Sequence, residues 1–298
     1  MVLNHKVAVI IPGYKVSKHI KDVIDSIPEM VDFIIVVDDK CPQDSGKIAK
    51  ESSHPKLIVI FHEKNQGVGG AVVSGYKKAL ELGADICVKI DGDGQMDPSY
   101  ISELIEPLIQ NQADYTKGNR FRDFIALKSM PKVRLFGNSA LSFLVKVASG
   151  YWNIVDPTNG YTAIHKRALE ELDLDKLSKR YFFESDMLIN LNTIDAAVKD
   201  VAIPAFYGDE ESSLRVKRIL IDFPPKLLKG FVKRIFLKYF VYDFNMASIY
   251  TIFGIPMVAW GFLFGAYRWY LGATMDIENT TGTVMLSVLP LILGVQFL

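Results

Sequence analysis

Lys89-Ile90-Asp91-Gly92-Asp93-Gly94-Gln95 is the stretch whose reading decides the fold. It follows Asp85-Ile86-Cys87-Val88, a short apolar run of the kind that makes a buried parallel strand. It precedes Asp97-Pro98-Ser99, which offers Asp as N-cap and Pro at the first helical position. A pair of carboxylates and a side-chain amide therefore sit where a strand gives way to a helix. Open α/β sheets bind their ligands at the carboxyl ends of strands. Asp91 and Asp93 point the same way in an extended segment, because side chains alternate with period two. Gly92 and Gly94 leave room for a bulky polyanion. Carboxylates this close repel each other unless a cation sits between them, and hard oxygen ligands with open positions suit Mg²⁺ or Mn²⁺ bridging to a diphosphate. The alternative is an acidic surface turn, and an isolated Asp-x-Asp is weak. Its place at the end of a buried strand, with Gln95 added, favours the metal.

Working outward, Val7 to Ile11, Phe33 to Val37, Leu57 to Phe61 and Ala113 to Lys117 read as further strands. Helical patterns lie between them: Ile20, Val23, Ile24 and Ile27 after a Ser17 cap, a helix running to Gly83, and Ile101, Leu104, Ile105 and Leu108. Such alternation predicts βαβ units and a mainly parallel sheet. More strand ends carry chemistry. Tyr14, after Pro12-Gly13, offers a ring on which a base can stack. Asp38 and Asp39 can accept from a base N–H or from ribose hydroxyls. A loop aromatic and a solvated turn are the plain alternatives. The turn Gly67-Val68-Gly69-Gly70 follows the third strand, not the first, so it is not the dinucleotide fingerprint. Tight packing and phosphate contact explain it equally well.

Beyond residue 118 the pattern loosens. Arg120, Arg122, Lys132 and Arg134 suit phosphate recognition, although such residues singly are most often surface charges. A helix is expected from about Asn138 to Ala148. Asp156-Pro157-Thr158-Asn159-Gly160-Tyr161 has turn chemistry throughout. Glu184 and Asp186 form a second acidic cluster, and His165 reads as structural.

The chain has 298 residues, with 34 basic and 34 acidic side chains, which argues against nucleic-acid binding by bulk charge. The N-terminus runs straight into a strand and is no signal peptide. Cys41 and Cys87 suggest no disulfide framework, which fits the cytosol. Between Arg215 and Lys238 stand eight basic residues and one acid, Asp222. Lys226, Lys229 and Lys233 share one helical face, and Leu228, Phe231, Ile235 and Tyr239 another, as in a helix lying on an anionic bilayer. A helix packed on the preceding domain is the alternative. Phe244 to Tyr267 then runs 24 residues without a charge, enough for a bilayer core of ~30 Å, with Tyr242, Trp269 and Tyr270 as belt residues. Asn279 to Leu298 is a second uncharged run that just reaches spanning length. It stops without flanking charge, so the natural chain is expected to continue. The positive-inside rule puts the basic stretch, and the domain before it, in the cytoplasm.

With VIIPGY, VVDDKCPQD, NQGVGGA, KIDGDGQMDP, GNRF, DPTNGYTA and FFESDM in this order, the whole chain resembles GT-A glycosyltransferases of the polyprenyl-phosphate type. That branch contains dolichol-phosphate mannose synthases and bacterial polyprenyl-phosphate glucosyltransferases. The resemblance implies an α/β, Rossmann-like GT-A domain over 1–214, basic amphipathic juxtamembrane helices over 215–243 and a transmembrane helical hairpin over 244–298. It implies inverting transfer of a hexosyl group from a nucleoside diphosphate sugar (UDP- or GDP-linked) to a polyprenyl phosphate. Asp93 and Gln95 would hold Mg²⁺ or Mn²⁺, with Asp91 beside them near the diphosphate. Pro12, Tyr14, Asp38 and Asp39 would surround the base and ribose. Arg120 and Arg134 would bind the acceptor phosphate or donor diphosphate, Asp156 would lie near the reacting sugar, and Glu184 matches the acid of the later motif. The family often assembles through its hairpins, which makes a homo-oligomer an expectation. Lys15-Val16 stands where the family usually has Asn-Glu, and Tyr207 to Leu214 replaces an Arg and a Ser-Lys pair. Both changes leave base and sugar open. A glycan or glycolipid hydroxyl acceptor would need a carboxylate base, making Asp156 or Glu184 indispensable. A nucleotide-sugar sensor without turnover would tolerate loss of the acidic motif.

Overall fold

A computed structural model describes residues 5–120, 132–204 and 216–298, with side chains described outside 132–138 and 216–221. Arg122, the run 207–214 and the side chains of Lys132 and Arg134 lie outside the described residues.

Seven strands form one sheet: β1 (Val7–Gly13), β2 (Phe33–Asp38), β3 (Leu57–Phe61), β4 (Ile86–Lys89), β5 (Tyr115–Asn119), β6 (Thr162–His165) and β7 (Val198–Ala202). Their order is β3-β2-β1-β4-β6-β5-β7. Neighbours run parallel except at β6, which is antiparallel to both β4 and β5. The sheet is thus mainly parallel, as the alternation predicts. β6 and β7 do not stand out in the sequence. β6 is four residues long and directly follows a turn, and β7 reads Val-Lys-Asp-Val-Ala, with charges mid-strand.

Alternation within β1 builds the core. Ala8 and Ile10 join Ile35, Val37 and Cys87 on one face, while Val9 and Ile11 join Ile34, Val36 and Val88 on the other. Each such side chain, fully buried, contributes roughly 1.5–3 kcal/mol. Burial also pushes the Cys87 thiol up to about 12, an inert core sulfur. The first face is covered by α3 (Val68–Glu81) and α7 (Phe183–Thr193), and the second by α1 (Ile20–Asp25) and α4 (Ile101–Ile109). Ser17 does not cap α1. Its hydroxyl donates to Gln43 Oε1 (3.0 Å), and His19 takes the cap position without capping the helix through its side chain. Asp97 does cap: it accepts from Ser99 N (2.8 Å), and one 3₁₀ turn leads into α4. α2 (Ser45–Lys50), α5 (Lys132–Ser149) and α6 (Lys166–Glu171) complete the layers. His165 caps α6 by accepting from Arg167 N (3.2 Å).

Helix α8 (Val216–Phe236) belongs mostly to the same compact unit, residues 1–234. Phe223, Leu227 and Arg234 are buried, while Leu228 and Val232, on the opposite side, are exposed. Arg234 donates to the carbonyls of Ala148 (2.8 Å) and Val147 (3.2 Å), where α5 ends and exposes unpaired acceptors.

Residues 235–298 form a second compact unit. A π-helical turn, Leu237–Tyr242, precedes α9 (Met246–Met275) and α10 (Thr281–Phe297). Asn245 and Ser248 make a reciprocal capping box at the start of α9. The two helices pack closely. A Cβ on Gly294 would lie 2.8 Å from Val258 N, and Ser287 Oγ donates to Gly261 O (2.8 Å). α9, at 30 residues, is long and apolar enough to cross a membrane. It starts two residues later than the expected run and continues to Met275. α10 has 17 helical residues, about 26 Å, shorter than the expected second span.

Candidate active site

β1, β2, β4 and β5 all end on one edge of the sheet, and the loop into antiparallel β6 lies on that same edge. The topology therefore brings Tyr14, Asp38, Asp39, Asp91, Asp93, Arg120 and Asp156 to one side of the molecule. This is the edge on which the sequence places the chemistry.

At the end of β4, Lys89 is buried, and its Nζ donates to Asp91 Oδ1 (2.8 Å), Glu184 Oε1 (3.2 Å) and Gly160 O (3.2 Å). Burial alone pushes this ammonium down, but the charges of Asp91 and Glu184, and the hydrogen bonds to both, carry it above the ordinary lysine value. Lys89 therefore stays cationic. Asp91 keeps 31 % of its side chain open, and Glu184 keeps 14 %. Asp93 folds back to accept from Gln95 N (3.0 Å). Among the described residues no group of three His, Cys, Asp or Glu side chains converges. β4 ends at Lys89 and the chain turns at 92–94, so Asp91 and Asp93 do not extend side by side as the period-two pattern predicts. As the expected ligands, Asp91, Asp93 and Gln95 would leave positions for phosphate oxygens. Mg²⁺ is commonly held in this way, by one or two carboxylates plus substrate phosphates. The residues fit such an ion.

At the end of β5, Arg120 grips Asp156 with two bonds, Nε to Oδ2 (2.7 Å) and Nη2 to Oδ1 (3.2 Å). Thr158 Oγ1 also donates to Asp156 Oδ1 (3.2 Å). Asp156 is fully buried, whereas Arg120 keeps 39 % of its side chain exposed. Beneath this pair, Lys117 Nζ donates to Asn159 O, and Asn159 Nδ2 donates to Gly118 O (2.7 Å). Burial pushes Lys117 down to about 8, against the pull of Glu184 and Asp156.

The β2 end is built differently. Asp38 accepts from Cys41 N (2.8 Å) on one oxygen and Gly46 N (2.6 Å) on the other. Asp39 accepts from Gln66 N (2.8 Å) and Gly67 N (2.7 Å). His62 bridges Asp39 (Nδ1 to Oδ1, 2.8 Å) and Ser74 (Nε2 to Oγ, 2.8 Å). Both aspartates are buried, so their carboxylates hold loops together. Pro12 is buried inside β1, paired with Val37. Tyr14 remains an exposed platform, with Lys15 Nζ 5.6 Å from its ring centre. The glycine turn packs rather than reaches out. A Cβ on Gly69 would lie 2.3 Å from Ser178 O and 2.8 Å from Phe183, and Gly70 N donates to Lys179 O (3.1 Å).

The model of glycosyl transferase family 2 matches residues 8–173, a span that includes every strand end above. The chain is a family 2 glycosyltransferase. It is 36% identical over 229 residues to the UDP-N-acetylglucosamine–dolichyl-phosphate N-acetylglucosaminyltransferase of Methanococcus voltae, covering 72% of this chain and 90% of that protein. It is 30% identical over 182 residues to the undecaprenyl-phosphate mannosyltransferase of Micrococcus luteus, covering 60% and 73%. The transferase also superimposes on glucosyl-3-phosphoglycerate synthase from Mycobacterium tuberculosis, solved with Mn²⁺, UDP and glucosyl-3-phosphoglycerate. The TM-score is 0.57 at 20% identity, over 78% of this chain and 80% of that one. That likeness shows the fold, the GT-A arrangement implied by the motifs.

The structure brings Asp91 and Glu184 of the transferase together through Lys89, and Arg120 and Asp156 together directly. It separates Glu184 from its neighbour. Asp186 turns away, accepting from Ser178 N (2.7 Å) and Asn190 Nδ2 (3.2 Å). Arg134 falls on α5 with its side chain outside the described ones. The sequence patterns assign no site role to Lys89, Lys117 or Asn159. Their signal was present, since a lysine ending an apolar strand or inside Tyr-Thr-Lys-Gly-Asn must be buried, and a buried lysine needs partners.

Proposed function

We propose that this transferase moves a hexosyl group from a nucleoside diphosphate sugar to a polyprenyl phosphate at a membrane surface. The observation that carries this reading is the state of Asp156: fully buried, with both oxygens bound by Arg120 and Thr158. So held, it is badly placed to take a proton from an acceptor hydroxyl. A phosphate acceptor is already an anion and needs no such base. The harder task is the leaving diphosphate. Asp91 and Asp93, with Gln95 beside them, would hold a Mg²⁺ or Mn²⁺ ion, which would supply charge stabilisation of that group. Tyr14 offers its ring to the base. Arg120, at the same edge with a partly exposed side chain, suits a phosphate oxygen, while Asp156 fixes the guanidinium plane.

The names of the relatives support the lipid acceptor. Helix α9 supports a membrane anchor, and α8 supports contact with the surface. The helix packs on the preceding domain, with Lys233 bonded to Asn190 (2.9 Å) and Lys226 over the Phe182 ring, while the outward Leu228 and Val232 beside Lys229 suit an anionic leaflet. By the positive-inside rule, the site would then face the cytoplasm.

The test offers the purified full-length protein a polyprenyl phosphate and the matching polyprenol alcohol, side by side. Sugar transfer to the phosphate alone is expected. Transfer to the alcohol at a comparable rate would overturn the reading and require a carboxylate base.

A further inference from the structure

The lysines buried beneath the site lie on β4 and β5, the strands that flank β6. Between them the chain 156–161 descends into β6. Consecutive carbonyls of that loop, Asn159 and Gly160, accept from Lys117 and Lys89 respectively. Gly160 permits the closeness. A Cβ there would lie 2.5 Å from Lys89 Nζ and 2.8 Å from Asp91 Oδ2. Lys89 thus touches three parts of the chain at once: Asp91 beyond its own strand, Glu184 on α7 and the 160 carbonyl.

We propose that Lys89 is a positioning residue that makes Asp91 a one-oxygen ligand, keeping Oδ1 for itself and leaving Oδ2 for the cation that the diphosphate brings. The same ammonium ties Asp91 to the 156–160 loop, and so to the Arg120–Asp156 pair. This inference rests on the reading of Asp91 and Asp93 as a cation and diphosphate site. Its physical consequence is specific. A fixed positive charge 2.8 Å from Asp91 repels a divalent ion. The diphosphate brings compensating negative charge. Lys89 therefore weakens binding of the metal alone and favours its entry together with the nucleotide. A residue that merely supports the fold would not do this, since its loss would loosen the site and weaken metal binding.

The test measures Mn²⁺ binding to the full-length protein in detergent by electron paramagnetic resonance, without nucleotide and with UDP or GDP. Wild type is compared with Lys89→Met and with Lys89→Met/Glu184→Gln, which removes the lysine and its Glu184 partner together and leaves Asp91 as the carboxylate released to the metal. Both variants should bind Mn²⁺ alone about fivefold more tightly or better. Their kcat should fall by about tenfold or more, while donor KM changes little. Lys89→Arg should restore the weak affinity for the bare metal. Unchanged or weaker Mn²⁺ binding in a folded double variant, beside normal wild-type binding, would overturn the role of Lys89 alone. If wild type binds no Mn²⁺ even with UDP or GDP, the metal site falls and this inference with it.

Discussion

Asp38 and Asp39, at the end of β2, accept from backbone amides, with the His62 ring also on Asp39, whereas Asp91, Glu184 and Asp156, around β4 to β6, are paired with side-chain cations. Both groups stand on one edge of the sheet, and all were candidates for substrate contact. The difference lies in what each carboxylate can release. A backbone N–H is fixed by the loop it belongs to, so Asp38 and Asp39 cannot change partners without undoing the turns at 41–46 and 65–67. A lysine or arginine at a strand end is one partner among several. A metal ion or a phosphate can share such a carboxylate or cation while the backbone stays in place. Carboxylates held by amides brace the loops, whereas at the cation-held pairs one partner stays partly open to a ligand: Asp91 beside Lys89, and Arg120 beside Asp156.

The largest expected effect is that of Asp93→Ala, at the strand end whose other carboxylate, Asp91, is held by Lys89. Loss of a metal-binding carboxylate should lower kcat by about 10²–10³-fold with the melting temperature little changed, read by product formation and calorimetry. A near-normal rate would remove the acid pair from the chemistry. Next comes Arg120→Ala, which strands the buried Asp156 without its cation. Breaking such a pair should cost about 3 kcal/mol in denaturant unfolding, and Asp156→Asn on the same background should recover part of it. If neither change moves stability, the pair is not the lock described.

Asp39→Asn probes the other group. The amide still accepts one hydrogen bond but turns its NH₂ toward another backbone donor, so a stability loss of about 2 kcal/mol is expected. Nucleotide affinity, read by calorimetric titration, should change by less than tenfold. A large loss of affinity with unchanged stability would return Asp39 to the ribose or base, and the contrast would fail there.

The smallest effect is in pH. Lys117 is depressed in the folded protein to about 8, below its unfolded value of about 10.4. The unfolded chain therefore binds more protons between these values, and stability should rise with pH through that window. The gain is about 1 kcal/mol between pH 8 and pH 9, and Lys117→Met should flatten it. A slope of opposite sign in wild type, or the same slope in the variant, would contradict the buried charge.

Sequence patterns made β1 to β5 legible because apolar runs alternating with amphipathic helices admit few topologies. The four residues of β6 gave no such signal. Its place between β4 and β5 depends on pairing with strands distant in the chain, and pairing is not written in local periodicity. Asp91, Asp93, Arg120 and Asp156 were legible as types at strand ends. What each one holds was not. Nothing in Val-Val-Asp-Asp tells that both carboxylates turn inward to backbone amides. Nothing in Lys-Ile-Asp tells that Lys89 reaches Glu184, 95 residues further along. Partners of this kind are set by tertiary packing.

One measurement bears most directly on the whole account. The full-length protein in detergent is given a polyprenyl phosphate, Mg²⁺ or Mn²⁺, and a panel of UDP- and GDP-sugars, and the lipid fraction is read by mass spectrometry. A sugar–phosphate–polyprenol from one donor, abolished by chelation and by Asp93→Ala, is the predicted result. Donor consumed across the panel with no lipid-linked product would contradict it.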